Sequence, residues 1–266
     1  MDTTIVDFEK PPVAEVVCGL GFERVPQFHS PHMGLFWAQI RDEFPISEVH
    51  PPIQSSLVSR SFVEFVEFPE LVRHFYRSAD RSELVQLQQD RFLYNWLKAS
   101  TDTIYPRYKG VITRFGRLRK KFDQFFKQLD FPPLRINELR LEYVNHVLKG
   151  EGWESPADIN DVFPDFRFRK KGTKYLRPPT AWNLAFRHPV KDPNSQMNIA
   201  IRTATKPGDG DQQQQIFLIQ LSVIGRLENP PARDIQEWFD MAREAIDLSF
   251  VDLTAPEMQK RFWKAR

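Results

Sequence analysis

The stretch that decides the fold runs from residue 106 to residue 129 and reads PRYKGVITRFGRLRKKFDQFFKQL. Its apolar positions recur in alternating steps of three and four residues, at Tyr108, Val111, Phe115, Leu118, Phe122, Phe125 and Leu129. Such spacing places one continuous apolar stripe along a helix. Pro106 opens the segment and two prolines at 132 and 133 end it. A single helix of this length is no coiled-coil protein, so we expect the stripe to pack on a β-sheet.

Strand patterns lie on both sides of this helix. Residues 84–88 and 91–97 predict a hairpin that turns at Gln89-Asp90, with Phe92, Tyr94 and Trp96 on one face of its second strand. Other runs with strand character are 16–23, 61–68, 74–77, 136–148, 181–188, 197–204 and 215–225, and residues 45–59 are predicted to be a loop. Shorter helices are predicted to follow Ser30-Pro31 (ending at Pro45), the Ser155/Asp158 capping pair and Thr254, and a second long helix is predicted to follow Asn229-Pro230.

These elements predict an α+β fold in which an antiparallel sheet, or sheets, carries long helices on one face. Proline pairs precede the first strand of each half, at 11–12 and at 132–133, and single prolines open the two predicted long helices, at 106 and 230. We infer one compact unit, residues 1–266, built from two pseudo-repeated halves, about 1–131 and 132–266. Coincidence in a proline-rich chain is the alternative. The order strand, helix, strands, helix is similar to TATA-binding-protein-like or helix-grip topology, which implies no function by itself.

The composition is that of a globular protein and excludes a disordered or collagen-like chain. Hydrophobic residues make up 41% of the 266 residues, and 23 residues are Phe, which predicts a large aromatic core. Only 11 residues are Gly, which argues against a glycine-rich phosphate loop. The single cysteine, Cys18, lies in an apolar run and is expected to be a buried thiol.

Features of targeting and of membrane insertion are weak. Acidic residues, Asp2, Asp7 and Glu9, stand at the N-terminus instead of a basic segment, and no apolar stretch follows them. The longest apolar run, 216–225, is much shorter than the roughly 20 residues that a membrane helix needs. We therefore expect a cytoplasmic protein with no membrane partner.

Charge is distributed unevenly along the chain. The net charge is +2, but residues 1–105 hold 9 basic and 15 acidic side chains, whereas residues 106–266 hold 28 and 20. In the helix after Pro106, Arg114, Arg117 and Lys121 lie opposite the apolar stripe, and a second basic run comprises Arg167, Arg169, Lys170, Lys171 and Lys174. The predicted helix around 234–247 is rich in acids instead. The basic residues are either solvated surface or contacts to an acidic protein or to nucleic acid phosphates.

Two clusters are candidates for lining a pocket. One comprises Asp90, Arg91, Tyr94, Asn95 and Trp96, and the other comprises Glu142, Asn145 and His146. The alternative for the first cluster is a structural role at the predicted hairpin. His29 and His32 lack a third ligand nearby, so we expect no metal site, and no cofactor fingerprint or catalytic residue is identified.

The chain resembles a sporadically distributed family of uncharacterised bacterial and archaeal proteins of about 260 residues. The resemblance rests on segments 11–17, 34–37 with 41–45, Asp90–Trp96, Tyr105–Tyr108, Glu142–His146 and Asp252–Met258. It implies a full-length, single-unit protein and an accessory or defence-linked role, and it implies no reaction.

Together these observations predict a non-catalytic recognition protein that binds a protein partner. Nucleic acid binding through the basic helix and the 167–177 run is one alternative. An enzyme or small-ligand binder with an aromatic-lined pocket is another. The sequence names no partner and no oligomeric state.

Overall fold

The structure, a computed structural model, describes residues 6–51, 72–167, 175–208, 212–227 and 234–266. The described strands are β1 (Val13–Phe22), β2 (Ile46–His50), β3 (Arg73–Arg77), β4 (Glu83–Gln88), β5 (Arg91–Leu97), β6 (Ile136–Leu148), β7 (Asn183–Pro189), β8 (Ser195–Pro207) and β9 (Gln213–Arg226). The described helices are α1 (Ser30–Ile40), α2 (Arg107–Gln128), α3 (Ile159–Val162), α4 (Ile235–Leu253) and α5 (Pro256–Arg261). A 3₁₀ turn, Pro156–Asp158, precedes α3.

The strands form a large antiparallel sheet in the order β2-β3-β4-β5-β1-β6-β9-β8-β7. The predicted α+β class is confirmed. The chain divides into two compact units: one comprises Val17–Leu139 and Leu227–Pro231, and the other comprises Met1–Val16, Arg140–Arg226 and Ala232–Arg266. We call them the 17–139 unit and the 140–266 unit. The prediction of one unit with halves 1–131 and 132–266 stays a prediction.

In the 17–139 unit, α1 and α2 cover one face of the sheet through phenylalanine rings. Phe92 of β5 lies 4.9 Å from the ring of Phe122 and 6.1 Å from that of Phe36. The apolar stripe of α2 is buried as predicted at Tyr108, Val111, Phe115, Leu118, Phe122 and Phe125. Since strand residues alternate between faces, Arg91, Leu93 and Asn95 lie on the opposite face of the sheet.

In the 140–266 unit, α4 packs on β9 through Trp238. Its indole nitrogen donates to Ser195 Oγ at 2.9 Å. Gly225 of β9 leaves the space for this contact, because a Cβ there would lie 2.7 Å from indole carbon Cε2. The ring of Phe217, also on β9, lies 4.2 Å from that of Trp153. Burial of these aromatic side chains builds the core of this unit.

Several local expectations need correction. Most described helices are short, between 4 and 11 residues, and only α2 and α4 reach 22 and 19, so the expectation of long helices does not hold in general. Residues 46–50 form β2 instead of loop, and α1 ends at Ile40, before Pro45. The predicted strand 61–68 and the Asn229-Pro230 helix start lie outside the described residues.

The hairpin of β4 and β5 is confirmed, with Gln88 paired to Arg91. So are β6, which has its predicted bounds, and the Ser155/Asp158 capping box. None of the helices in the described ranges combines the length and the apolar character that crossing a bilayer requires.

Candidate functional site

The solvent-facing side of α2 carries a row of cations. Lys109, Arg117, Lys120 and Lys127 are exposed, and the residues between them on this line, Thr113 and Gln124, are exposed and uncharged. We call these four cations the basic stripe. In the described part of the chain, no ion pair joins any of them to an acidic side chain. From residue 109 to residue 127 the stripe extends about 27 Å along the helix.

Arg114 does not belong to this exposed surface, contrary to expectation. Its Nε and Nη2 donate to both carboxylate oxygens of Glu83, at 2.8 and 2.9 Å, and its Nη1 donates to Glu43 at 2.6 Å. Tyr94 OH donates to the same Glu83 at 2.6 Å. Burial alone would lower the pKa of Arg114, but these two carboxylates outweigh it and raise the pKa. Arg114 therefore holds α2 to β4.

Lys121 has a similar structural role on the edge of the helix. Its Nζ donates to Glu43 Oε1 at 2.7 Å, and this hydrogen bond, with that of Arg114, lowers the pKa of Glu43. Of the three predicted partner-binding residues on α2, only Arg117 is exposed, and Arg114 and Lys121 are half-buried. The exposed line therefore passes through Thr113 and Lys120, each one residue before the predicted Arg114 and Lys121. The reason is that Glu43 and Glu83 neutralise the flank of the helix on which Arg114 and Lys121 lie.

Of the basic residues in the second predicted basic run, 167–177, the structure describes only the two at its ends, Arg167 and Arg177. Both are exposed. Arg169, Lys170, Lys171 and Lys174 lie outside the described residues, so their predicted role in partner binding stays a prediction.

The helix that the sequence predicted to be rich in acids is α4. Some of its acidic side chains are exposed, and others are paired with basic side chains. Glu237 and Asp240 are exposed. Glu244 accepts from Lys191 at 3.1 Å, and Asp247 accepts from Arg243 at 2.8 Å. Part of the acidic charge is therefore paired within the 140–266 unit.

Strand alternation separates the pocket residues predicted in β5. Tyr94 and Trp96 face the helices, where Trp96 lies 4.9 Å from the ring of Tyr105. Arg91 and Asn95 face the other side of the sheet. Asp90 occupies the turn and accepts from Gln88 Nε2 at 2.8 Å. These five residues do not line a common pocket, and the alternation already visible in the sequence indicates this separation.

The face opposite the helices in the 17–139 unit is polar and partly buried. We call it the polar face and define it by Arg73, Gln86, Gln88, Arg91, Asn95 and Glu138. Arg91 Nη1 donates to Glu138 at 2.7 Å, and both side chains are over 90% buried. Arg73 Nη1 donates to Gln86 Oε1 at 3.1 Å, and Gln86 Nε2 donates to Asn95 at 2.8 Å. Of these residues, sequence analysis identified only Arg91 and Asn95. The alternation of polar and apolar residues along β3 and β4 did not show which face of the strands was polar.

The second predicted cluster lies on β6 in the 140–266 unit. Glu142 and His146 share one face by alternation, and Asn145 lies on the other. Gln220 Nε2 donates to Glu142 Oε1 at 2.8 Å, and Arg140 Nη1 lies 3.5 Å from Oε2. Burial raises the pKa of Glu142, and Arg140 offsets this only in part.

We expect Glu142→Gln to raise the melting temperature at neutral pH. Because the folded-state pKa is above the unfolded value, ionised Glu142 destabilises the fold, and Gln removes that charge while it can still accept from Gln220. The gap between variant and wild type should shrink as pH falls through the folded-state pKa, and it should vanish below about pH 4, where Glu is protonated in both states. Thermal melts across this range measure it.

Exposed Glu154, in the same unit, provides the control as Glu154→Gln. This variant should show no such pH-dependent gain. A gap between Glu142→Gln and wild type that widens toward acid pH would contradict the role assigned to burial.

A cavity of about 260 Å³ lies in the 140–266 unit, and its lining includes no residue of either predicted cluster. Met197, Met241 and Leu248 form part of its apolar wall, and Lys191 and Glu244 stand among its polar lining residues. It opens between the end of β7 and α4. The predicted aromatic-lined pocket is not at this place, because no ring of Phe, Tyr or Trp lines the cavity.

The two N-terminal histidines form a helix cap. The backbone N–H of His29 donates to His32 Nδ1 at 3.1 Å, within a reciprocal capping box at the start of α1. Among the residues that the structure describes, no group of three or more potential ligands is placed to hold a metal ion.

Comparison with known proteins adds no assignment. No protein-family model matches the chain, and no curated protein matches it.

Proposed function

We propose that this chain is a non-catalytic recognition protein and that the basic stripe on α2 binds an acidic surface of a protein partner. The observation that carries the proposal is the row of four exposed cations without ion pairs to described acids. Paired cations such as Arg114 stabilise the fold, whereas the cations of the stripe make no direct ion pair with a described acid, and Lys127 attracts Asp123 only at longer range. A complementary acidic surface would gain both affinity and association rate from them.

A protein partner fits this helix better than nucleic acid does. α2 buries eight of its side chains, so it lies along the sheet instead of projecting from it, as a helix that enters a major groove must. Its exposed line offers Lys, Arg, Thr and Gln but no aromatic ring on which a base could stack. The cations are thus suited to a broad surface contact.

We expect Lys109→Glu, Arg117→Glu and Lys120→Glu together to abolish capture of the partner from cells that make the protein. The measurement is affinity capture after nuclease treatment, followed by a salt titration of the recovered complex. The free energy of unfolding should change little, because surface substitutions usually cost within about 0.5 kcal/mol each. Association should become slower, since the reversed charges no longer steer the encounter.

The matched control reverses Arg24, Arg41 and Lys98, which are exposed in the same unit but off the stripe. It carries the same change of net charge and should retain the partner. Equal loss in both triple variants would show a general charge effect and would contradict the stripe. In a parallel capture without nuclease, recovery of nucleic acid as the bound species would favour the nucleic acid alternative instead.

We further propose that the two halves arose by duplication, with a topology like that of the TATA-binding protein or of helix-grip proteins. In support, the first strand of each half neighbours the last one in the sheet order, β1 beside β5 and β6 beside β9. Membership of the bacterial and archaeal family that the sequence resembles, an accessory or defence-linked role and a cytoplasmic location remain part of this proposal and rest on the sequence alone.

A further inference from the structure

The cavity in the 140–266 unit has an apolar wall on two sides. On α4 this wall consists of Met241, Ala245 and Leu248, which follow one another at steps of four and three residues and so lie on one line of the helix. On the sheet it includes Met197 of β8, the register partner of His188 at the end of β7. A ligand between the helix and the sheet would therefore meet aliphatic and thioether groups on both sides.

The size of the cavity limits what it can hold. Its volume of about 260 Å³ has room for roughly eight or nine non-hydrogen atoms, at the share of liquid volume that one water molecule takes. Met197 is only 1% exposed, so the wall on the sheet is a buried one. The two methionine side chains are flexible and polarisable and can adapt to the shape of an aliphatic group. The space thus suits a short, branched aliphatic molecule.

One ion pair stands among the residues that line the cavity. Lys191, in the connection between β7 and β8, places its Nζ 3.1 Å from Glu244 Oε1 of α4. The two side chains are 77% and 38% exposed, so the pair lies on the side of the cavity that is open to solvent. Water screens a pair this exposed, and its contribution to stability is small. Each of the two ions can therefore take a second partner at little cost.

We propose that this cavity binds a free aliphatic α-amino acid of the size of leucine or methionine. The side chain of the ligand packs against Met197, Met241 and Leu248. Its α-carboxylate accepts from Lys191 Nζ, and its α-ammonium group donates to the carboxylate of Glu244. The site belongs to the 140–266 unit, whereas the basic stripe belongs to the 17–139 unit, and it goes beyond the proposed function.

The two opposite charges at the open side favour a zwitterion over other aliphatic molecules. A fatty acid would bring its carboxylate beside Glu244, and an aliphatic amine would bring a second cation beside Lys191. An α-amino acid carries both charges on neighbouring atoms and complements both side chains. Aromatic amino acids are larger than the cavity, and a leucine inside a peptide has neither charge.

The test follows the methyl resonances of protein labelled with ¹³C-methyl methionine by NMR during titration with L-leucine. We expect saturable shifts at Met197 and Met241 and none at Met33, which lies in the 17–139 unit. Ala245→Leu should weaken binding by about tenfold or more, because the larger side chain fills the cavity. Ala185→Leu is the matched control, since Ala185 is exposed on the face of β7 opposite to His188. It should bind L-leucine as the wild type does.

Three analogues of leucine test the two charges. Isocaproate lacks the ammonium group, isopentylamine lacks the carboxylate, and N-acetyl-L-leucinamide lacks both charges. Each should bind the wild type about tenfold more weakly than L-leucine does, or worse. Glu244→Gln should weaken the binding of L-leucine but not that of isocaproate. Glu237→Gln, at an exposed position of α4 that does not line the cavity, should change neither.

Two kinds of result would overturn the proposal. An analogue that binds as tightly as L-leucine would show that the ligand is not a free amino acid. Shifts at Met197 and Met241 that do not saturate, or an equal loss of affinity in Ala245→Leu and Ala185→Leu, would show that the cavity is not the site. The titrations of the wild type decide the question even where Ala245→Leu folds poorly.

Discussion

Replacing Phe122 with alanine should lower the free energy of unfolding by about 3–5 kcal/mol, the usual cost of removing a fully buried ring. The side chain has 0% exposure. Its ring is within 6.0 Å of five others, those of Phe22, Phe28, Phe36, Phe92 and Phe126. Since these come from several elements that cannot all move inward, the cavity should persist. The loss is a large share of a typical stability of about 5–15 kcal/mol.

Denaturant unfolding at 25 °C measures this effect. Phe122→Leu keeps most of the volume and should cost clearly less, which keeps the prediction testable if the alanine variant does not fold. Gln124→Ala, at an exposed position of the same helix, should change the unfolding free energy by only a few tenths of a kcal/mol. Comparable losses at positions 122 and 124 would show that α2 is not packed on the sheet.

Arg91→Met should destabilise the protein by about 3–5 kcal/mol, because it leaves the carboxylate of Glu138 buried without its cation. The exposures are 6% for Arg91 and 4% for Glu138, and the two side chains meet at 2.7 Å. Combining Arg91→Met with Glu138→Leu removes both charges from the interior. The double variant should be more stable than the sum of the single losses predicts, as a double-mutant cycle would show.

Arg135 and Glu23 provide the surface counterpart of this pair. Their side chains lie 3.6 Å apart and are more than half exposed. Arg135→Met should cost less than about 1 kcal/mol, since solvent already screens both charges. Strictly additive losses at Arg91 and Glu138, or equal losses at Arg91 and Arg135, would contradict the buried ion pair.

Local periodicity was sufficient to predict the main elements. The α2 stripe, the β4–β5 hairpin and the full extent of β6 follow from the spacing of apolar residues and from turn residues, which are local properties of the chain. The fold class follows from their order. The end of α1 was placed too late, at Pro45 instead of Ile40, because capping signals mark where a helix begins better than where it ends.

Which cations of α2 are exposed could not be predicted from the sequence of the helix alone. The sequence puts Arg114 and Arg117 on the same polar side, three residues apart. Only in the fold do Glu83, 31 residues before Arg114, and Glu43, 71 residues before it, neutralise one flank and leave the other exposed. The free basic surface therefore depends on which acids arrive beside the helix.

The sequence by itself determined the α+β class, the amphipathic helix that packs on the sheet and the excess of basic charge along that helix. Tertiary structure alone decided which of these cations face solvent, and it brought Arg91 to Glu138 from 47 residues away. The physical reason is range. Periodicity and capping act between residues a few positions apart, whereas ion pairing and burial depend on strand register between distant segments.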